Sequence, residues 1–247
     1  MLKPADLIAS RTYSAVVFDC GDTLLRLDPP REVIFCEAAR ELDLELPMRD
    51  VARAYELVDF SLKMKSSELA TAKAKAEFYR SLNTGLCTAL GVHSHVDRLH
   101  PLLVRRFAER RRWVAFQDAI ETLRAIPDGV GVHVLANWDR GLDGLLINAG
   151  LRDYIGDVAA SELLGVEKPA RACFDLFLAR NGLAPEQTIY VGNEYLADVV
   201  GARQAGMTPV LIDRADRLPN ADCLRIRALR DLVSASEVGI APPPMAG

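Results

Sequence analysis

The sequence predicts an α/β fold built on a doubly wound parallel sheet, Rossmann-like in arrangement, with an all-helical segment inserted into it. Short, continuous runs of apolar residues alternate with segments of helical length, which is typical of buried strands joined by crossover helices. The region Glu32–Arg112 differs, because it has almost no strand pattern and is rich in Ala, Leu, Glu, Lys and Arg. We therefore expect a helical domain between the first strand and the rest of the sheet.

Five apolar runs are predicted to form the strands of this sheet. Runs of four to seven such residues, without regular polar alternation, fit strands that are buried on both faces. The third run is the weakest of the five. The runs are Ala15–Asp19, Val130–Ala136, Asp157–Ser161, Thr188–Gly192 and Thr208–Asp213.

Helix-length segments lie before or after the later strands, and glycines stand where three of the helices are expected to end. Glycine is favoured there because it adopts the left-handed backbone conformation of a C-cap without strain. The segments are Phe116–Ala125, Asp139–Ala149, Ala170–Asn181 and Leu196–Ala205, and the glycines are Gly150, Gly182 and Gly206.

The change in pattern sets the predicted domain boundaries. We expect a core domain formed by residues 1–25 and 114–247, and a helical domain formed by residues 26–113. Residues 239–247 (GIAPPPMAG) are small or are prolines, so this tail is predicted to be disordered.

Composition excludes several classes of protein. Half of the 247 residues are apolar and 26% are charged, which is the balance of a globular chain. The net charge of −4 gives no general attraction to nucleic acid or anionic membranes. No apolar run approaches the roughly 20 residues that span a bilayer. The five cysteines are an odd number without CxxC spacing, and the first residues lack a signal peptide's apolar run, so we expect reduced thiols and a cytoplasmic location.

Polar and charged residues follow the predicted strands. Asp19 ends the first strand, Asn137 follows the second, Lys168 comes after the third, and Asn193 and Asp198 follow the fourth. Ligands of open parallel sheets bind outside the carboxyl ends of the strands. We therefore expect these side chains to meet at one edge of the sheet.

This set of residues suggests a particular chemistry. The Asp19 carboxylate is suited to act as a nucleophile, held near a hard cation with the help of Asp198. Lys168 would offset the negative charge and steady a transferred anion.

Four segments in order resemble the haloacid dehalogenase-like (HAD) superfamily of hydrolases: FDCGDTLL, LANWDR, EKP and VGNEYLADVVGARQAG. The likeness covers residues 14–213 and is nearest to the REG-2-like branch, whose first motif reads D-x-x-D-T-L. It implies a helical cap inserted after the first motif. It also implies hydrolysis of a small phosphorylated metabolite through an aspartyl-phosphate intermediate, with Mg²⁺ as cofactor.

The resemblance also implies residue roles. Asp19 would be the nucleophile, Lys168 the charge-balancing lysine and Asp198 a metal carboxylate. The backbone carbonyl of Gly21 would be a metal ligand, and Asn193 stands at a further metal position.

The first motif departs from that of the family's phosphatases, which reads D-x-D-G-T. Gly21 stands where those enzymes have an aspartate that protonates the leaving group and then activates water. Asp22, one position later, is a candidate for this catalytic role, although the shift turns its side chain another way. Loss of a general acid and base costs about 10²–10⁴-fold in rate.

The other motifs depart as well. Ala136 replaces a Ser or Thr whose hydroxyl binds the transferred group, and together with Asn137 it forms the predicted substrate-binding pair. Asn193 replaces an aspartate, so Mg²⁺ is expected to bind weakly unless Glu194 contributes.

Three functions stay open at this point. The first is a phosphatase-like hydrolase with a partly degenerate active site. The second is a dehalogenase-like or acyl-phosphate hydrolase, whose leaving group needs no proton. The third is a non-catalytic binding or regulatory module that kept the fold. The expected partner is a small anionic substrate, with no nucleic acid and no membrane, and the chain would be a monomer or a homodimer.

Overall fold

The computed structural model describes residues 13–63, 72–110 and 112–233. The tail predicted to be disordered, 239–247, lies outside these residues. The chain divides into two compact units. One comprises the residues up to Arg26 together with those from Ala115 onward, and the other is Leu27–Val114. The second unit begins and ends one residue later than the predicted helical domain, 26–113.

Within the described residues the strands are short, and five of them correspond to the five predicted runs. The strands are β1 (Ala15–Phe18), β2 (Leu25–Asp28), β3 (Arg112–Ala115), β4 (Gly131–Ala136), β5 (Asp157–Ala160), β6 (Thr188–Gly192), β7 (Thr208–Ile212) and β8 (Leu224–Ile226).

Six of these strands form one sheet in the order β5-β4-β1-β6-β7-β8. Every neighbouring pair in it is parallel. The predicted doubly wound parallel sheet is therefore confirmed. The edge strand β8 was not predicted, and neither was the separate two-stranded sheet of β2 and β3.

The helices follow the predicted order. The α-helices are α1 (Arg31–Arg40), α2 (Met48–Lys63), α3 (Ala72–Ala89), α4 (Val96–Arg110), α5 (Gln117–Ala125), α6 (Leu142–Asn148), α7 (Ser161–Leu164), α8 (Arg171–Asn181) and α9 (Gly201–Gln204). The segment predicted as one helix, Leu196–Ala205, instead starts as a π-helical turn, Tyr195–Val200, and continues as α9. Such turns are frequent at functional sites.

Helices α1–α4 form the core of the second unit. Their amphipathic sequences turn apolar side chains inward, and Phe35, Leu86, Leu99 and Leu103 are fully buried there. The ring of Phe35 meets that of Tyr55 edge to face, with centroids 6.1 Å apart. This packing is the source of the unit's stability, because isolated helices of such length are marginal in water.

The centre of the main sheet fixes where a site can form. Strand β1 lies between β4 and β6, with Phe18 opposite Val134 on one side and Val191 on the other. All residues of β1 and β6 are buried, as their apolar sequences require. The chain runs outward from β1 through β4 and β5 and then returns to the other side of β1. The carboxyl ends of β1 and β6 are therefore the switch point at which such sheets bind ligands.

No helix among the described residues is both long enough and apolar enough to cross a membrane.

Candidate active site

Asp19 is the first residue after β1 and lies at the switch point. Its backbone N–H donates to the carbonyl of Val191 over 2.8 Å, so the central strand pair fixes its position. The residue is only 8% exposed. A carboxylate at this depth needs charged or hydrogen-bonding partners, because an unpaired buried charge is strongly unfavourable.

Lys168 is the main partner. Its ammonium group lies 2.8 Å from Oδ1 of Asp19 and 2.6 Å from Oδ1 of Asp198. The lysine side chain is 2% exposed and that of Asp198 is 1% exposed. One buried cation thus serves two carboxylates, which the sequence places 179 positions apart, at residues 19 and 198.

Tyr190 takes the third hydrogen of the same ammonium group. Its hydroxyl oxygen accepts from Lys168 over 2.7 Å and donates to the carbonyl of Leu135 over 2.7 Å. Tyr190 was not predicted as a site residue from the sequence. The available signal was a tyrosine in the middle of a buried strand, because its hydroxyl must find a partner there.

The backbone of Lys168 is held by Asn137. The amide nitrogen of Asn137 donates to the Lys168 carbonyl over 2.9 Å, and its oxygen accepts from the Lys168 N–H over 2.8 Å. Both groups of the amide are therefore used in positioning the lysine. Ala136, the last residue of β4, is 1% exposed. The substrate-binding roles of Asn137 and Ala136 stay predictions.

The loop after Asp19 supplies a second contact to the nucleophile candidate. The hydroxyl of Thr23, which is fully buried, lies 3.3 Å from Oδ2 of Asp19 and donates to it. Asp22 has a left-handed φ of 56°, and its N–H donates to the Leu25 carbonyl over 2.7 Å. Asp22 is exposed. This geometry is that of a turn residue, and the catalytic role of Asp22 stays a prediction.

Asp198 is fixed by close packing as well as by Lys168. Its Oδ2 accepts the backbone N–H of Glu194 over 2.8 Å. A β-carbon on Gly192 would lie 2.3 Å from Cγ of Asp198, so only glycine permits this approach. Both carboxylate oxygens of Asp198 therefore have protein partners, and its predicted role as a metal ligand is not tested by these contacts.

Asn193 lies beside Asp19 and the first loop. With its amide nitrogen turned toward them, it donates to Oδ2 of Asp19 over 3.3 Å and to the Gly21 carbonyl over 3.1 Å. With its oxygen turned the same way, it accepts from the Thr23 hydroxyl over 3.4 Å. Three oxygens, from Asp19, Gly21 and Asn193, then gather at one point.

The oxygens of Asp19, Gly21 and Asn193 are spaced like neighbouring ligands of Mg²⁺. Neighbouring ligands of an octahedral Mg²⁺ lie about 3 Å apart, and the ion commonly keeps several waters. The inward atom of the Asn193 amide lies 3.1 Å from the Gly21 carbonyl oxygen and 3.3 Å from Oδ2 of Asp19, and both distances are of that size. No cluster of three His, Cys, Asp or Glu side chains that would hold a metal occurs among the described residues. The residues present fit a magnesium ion through one carboxylate and two carbonyl oxygens, which makes a weak site.

The family model described as haloacid dehalogenase-like hydrolase matches residues 13–206. This chain belongs to the haloacid dehalogenase-like hydrolase family. The family assignment made from the four sequence segments is confirmed.

Relatives of this hydrolase agree with the assignment. It is 30% identical over 209 residues to haloacid dehalogenase-like hydrolase domain-containing protein 3 of Danio rerio, covering 81% of this chain and 85% of that protein. It is 27% identical over 215 residues to the ribulose-1,5-bisphosphate 5-phosphatase of Halopiger xanaduensis, covering 82% and 86%. Its fold matches the HAD-hydrolase YfnB of Bacillus subtilis, whose crystal structure holds magnesium, with a TM-score of 0.67 at 19% identity, covering 89% and 96%.

The site of this hydrolase carries an excess of negative charge. Burial raises the pKa of Asp19 to about 7, Lys168 opposes the rise, and Asp198 adds to it. Burial works against the charge of Lys168, but the two carboxylates outweigh it and hold the pKa of the lysine well above its ordinary value. The ammonium group therefore keeps its charge at neutral pH, and on acidification Asp19 takes up a proton as the pH falls through about 7.

An arginine far along the chain holds the first loop. Arg214 makes two hydrogen bonds to Asp118, of 2.8 and 3.1 Å, and a third to the Thr23 carbonyl over 2.9 Å. Its guanidinium lies 3.7 Å from the ring centroid of Phe116, and the N–H of Leu229 also donates to Asp118. Arg214 was not predicted. It anchors the residue whose hydroxyl touches Asp19.

The structure brings together five of the predicted site residues: Asp19, Asn137, Lys168, Asn193 and Asp198. It also places the Gly21 carbonyl beside Asn193.

Proposed function

We propose that this hydrolase removes the phosphoryl group of a small anionic metabolite through an aspartyl-phosphate at Asp19. The observation that carries the proposal is the buried Asp19 carboxylate at the sheet's switch point, held 2.8 Å from the ammonium group of Lys168. The relative from Halopiger xanaduensis, named as a phosphatase of a sugar bisphosphate, supports a phosphorylated substrate.

The reaction would take two steps. In the first, a carboxylate oxygen of Asp19 forms a bond to phosphorus while the bond from phosphorus to the leaving oxygen breaks. In the second, water attacks the same phosphorus, the bond to Asp19 breaks, and phosphate leaves with the carboxylate restored. Lys168 holds Asp19 in place and balances the charge that collects around the phosphoryl group. Tyr190 and Asn137 keep the lysine in position.

Magnesium is part of this proposal. Asp19, the Gly21 carbonyl and Asn193 would hold the ion, which polarises the phosphoryl oxygens and draws the two anions together when it is bound. Asn193 is neutral where a carboxylate would add charge, so we expect weak binding.

The leaving group would depart without a dedicated proton donor. Gly21 occupies the position of the missing acid, and Asp22 is exposed on a left-handed turn. A good leaving group, such as an aryl oxide, needs no proton, whereas an alkoxide does. Hydrolysis of an aryl phosphate should therefore be faster than that of an alkyl phosphate by an unusually large ratio. Equal rates would show that another residue supplies the proton.

The test of the nucleophile is direct. The wild-type protein and Asp19→Asn are assayed on an aryl phosphate and on a panel of phosphorylated metabolites, with and without Mg²⁺. We expect turnover by the wild type, none by Asp19→Asn, and a phosphate adduct at Asp19 by mass spectrometry. Turnover with Asp19 unmodified would refute the mechanism. Ligand binding without turnover, unchanged in Asp19→Asn, would instead indicate a binding module.

The missing acid also favours a second candidate function. Halide and acyl-phosphate leaving groups need no proton. The lack of a proton donor at Gly21 would therefore not slow the hydrolysis of such substrates. Halide release from a 2-haloacid in the presence of a chelator would support this reading. A lack of halide release, together with phosphate release, would support the first.

The remaining finer assignments belong to the same proposal. We place the chain in the REG-2-like branch and assign the helical unit, Leu27–Val114, as a cap that selects the substrate. A cytoplasmic location and a monomeric or homodimeric state stay predictions.

A further inference from the structure

The side-chain amide of Asn193 faces two acceptor oxygens that a cation would also need. With the nitrogen inward, one NH₂ group lies 3.3 Å from Oδ2 of Asp19 and 3.1 Å from the Gly21 carbonyl. Both oxygens then have a donor. With the oxygen inward, three oxygens meet, and in the described part of the chain only the Thr23 hydroxyl donates to them.

A single hydroxyl hydrogen cannot satisfy that second arrangement. Thr23 has one proton to donate, shared between Asp19 at 3.3 Å and Asn193 at 3.4 Å. The Gly21 carbonyl would have an oxygen, not a donor, 3.1 Å away. Close oxygens repel unless a proton or a cation lies between them. With Asp19 ionised, the oxygen-inward orientation is therefore favourable only with a cation present.

We propose that the amide nitrogen of Asn193 takes the place of the cation in this protein, so that a divalent ion binds only after the amide turns its oxygen inward. The NH₂ group supplies the positive hydrogens that Asp19 Oδ2 and the Gly21 carbonyl require. The metal must break those two hydrogen bonds, and it gains a neutral ligand, not a carboxylate, in return.

Two features of the chain sharpen this inference. The charge of Asp19 is already shared with Lys168, 2.8 Å away, which lowers the attraction for a second cation. Asp198 is engaged by Lys168 and by the Glu194 N–H, so it does not replace the missing charge in this arrangement. Asn193 is half-buried.

The test is binding, measured without turnover, on Asn193→Asp. Aspartate has no NH₂ group and adds a negative charge, so it removes the competing hydrogen bonds and supplies a stronger ligand. We expect Mg²⁺ to bind this variant at least about tenfold more tightly than wild type in calorimetric titration. The melting temperature of Asn193→Asp should be lower than that of wild type in chelator and should rise with Mg²⁺. Asn148→Asp, which adds the same charge at an exposed position, should behave as wild type.

A second measurement follows the amide itself. The side-chain NH₂ signals of Asn193 are identified as the pair missing from the ¹⁵N spectrum of Asn193→Asp. In chelator they should exchange slowly with water, and high Mg²⁺ should shift them, while NaCl of equal ionic strength should not.

Three results would overturn the inference. They are equal Mg²⁺ affinity of wild type and Asn193→Asp, an Asn193→Asp variant that does not respond to Mg²⁺, and NH₂ signals that do not move when Mg²⁺ binds. The inference rests on the proposed function only for the identity of the Asp19 site. Failure to detect hydrolysis would refute that function and leave these binding results standing.

Discussion

Lys168 donates a 2.6 Å hydrogen bond to Asp198 at a depth where neither side chain is more than 2% exposed. The same ammonium group reaches Asp19 and Tyr190, so each of its three hydrogens has an acceptor. A lysine held in this way cannot donate fully to a substrate without loosening one of these bonds. We therefore propose that its contribution to the reaction is charge and position, set before the substrate arrives.

Removal of this lysine should destabilise the protein strongly. In Lys168→Met two buried carboxylates lose their common cation, and breaking a buried ion pair costs about 3–5 kcal/mol. Urea unfolding at neutral pH should show this loss, with a smaller loss at acidic pH, where Asp19, whose pKa is raised to about 7, takes up a proton. The double variant Lys168→Met with Asp198→Asn has the net charge of wild type at the site. The loss of unfolding free energy in the double variant should be smaller than the sum of the losses in the two single variants. An additive result would contradict the shared-cation arrangement.

Tyr190→Phe tests the third bond of Lys168. The variant keeps the ring in the core and removes only the hydroxyl, which bonds to Lys168 and Leu135. We expect a loss of about 1.5–3 kcal/mol in unfolding free energy, because one of the lost bonds is to a charged group. Tyr13→Phe is the matched control, since its hydroxyl meets only the Thr208 hydroxyl at 3.0 Å among the bonds described for it. A loss no larger than that of the control would show that Lys168 does not need Tyr190.

The main sheet was predictable because its strands are buried on both faces. Continuous apolar runs such as AVVF and TIYVG have no other favourable environment in a chain of this composition. Strand β8 was missed because it has three residues and includes Arg225, which pairs with Asp213 and Asp216. Strand β2, with the sequence LRLD, was missed for a similar reason.

The site was predictable only where a residue carries its function within a local motif. Asp19, Lys168 and Asp198 follow strands or begin a helix in recognisable segments. In its segment Tyr190 resembles an ordinary core residue. The function of its hydroxyl, which is to accept a hydrogen bond from Lys168, is evident only in the folded structure. Arg214 is 191 positions from Thr23, so no local pattern relates the two.

Arg214 should matter both to stability and to the first loop. Arg214→Lys keeps the charge but loses the two-point contact with Asp118 and the stacking on Phe116. Lysine cannot reproduce a planar fork of donors. We expect a loss of about 2–3 kcal/mol in unfolding free energy, together with a lower kcat. In Arg180→Lys, whose arginine is 50% exposed in its pair with Asp157, the loss should stay below about 1 kcal/mol. Equal losses in the two variants would argue against a special role for Arg214.

Two substitutions at Asp22 separate a turn residue from a general acid. Asparagine tolerates the left-handed φ of 56° and cannot donate an acidic proton, whereas alanine is strained there. If Asp22 serves the turn, Asp22→Asn should keep its rate on alkyl phosphates, and Asp22→Ala should lose about 1 kcal/mol of stability. A drop of about 10² or more in the rate of Asp22→Asn, with its stability unchanged, would make Asp22 the missing acid.

The raised pKa of Asp19 predicts that its contribution to stability decreases with rising pH. Asp19 titrates near its ordinary value of 3.8 in the unfolded chain and at about 7 in the folded protein. Between these values the folded state holds a proton that the unfolded state has lost, so the contribution of Asp19 to stability falls as pH rises through this window. Asp19→Asn removes the effect, so its stability relative to wild type should increase from pH 4 to pH 7, by at most about 4 kcal/mol. Urea unfolding of both proteins in chelator measures this difference. In the proposed mechanism only the ionised carboxylate attacks phosphorus, so kcat/KM of the wild type should rise with pH up to about 7. A constant stability difference, or a rate already level at pH 5, would show that Lys168 keeps Asp19 ionised throughout.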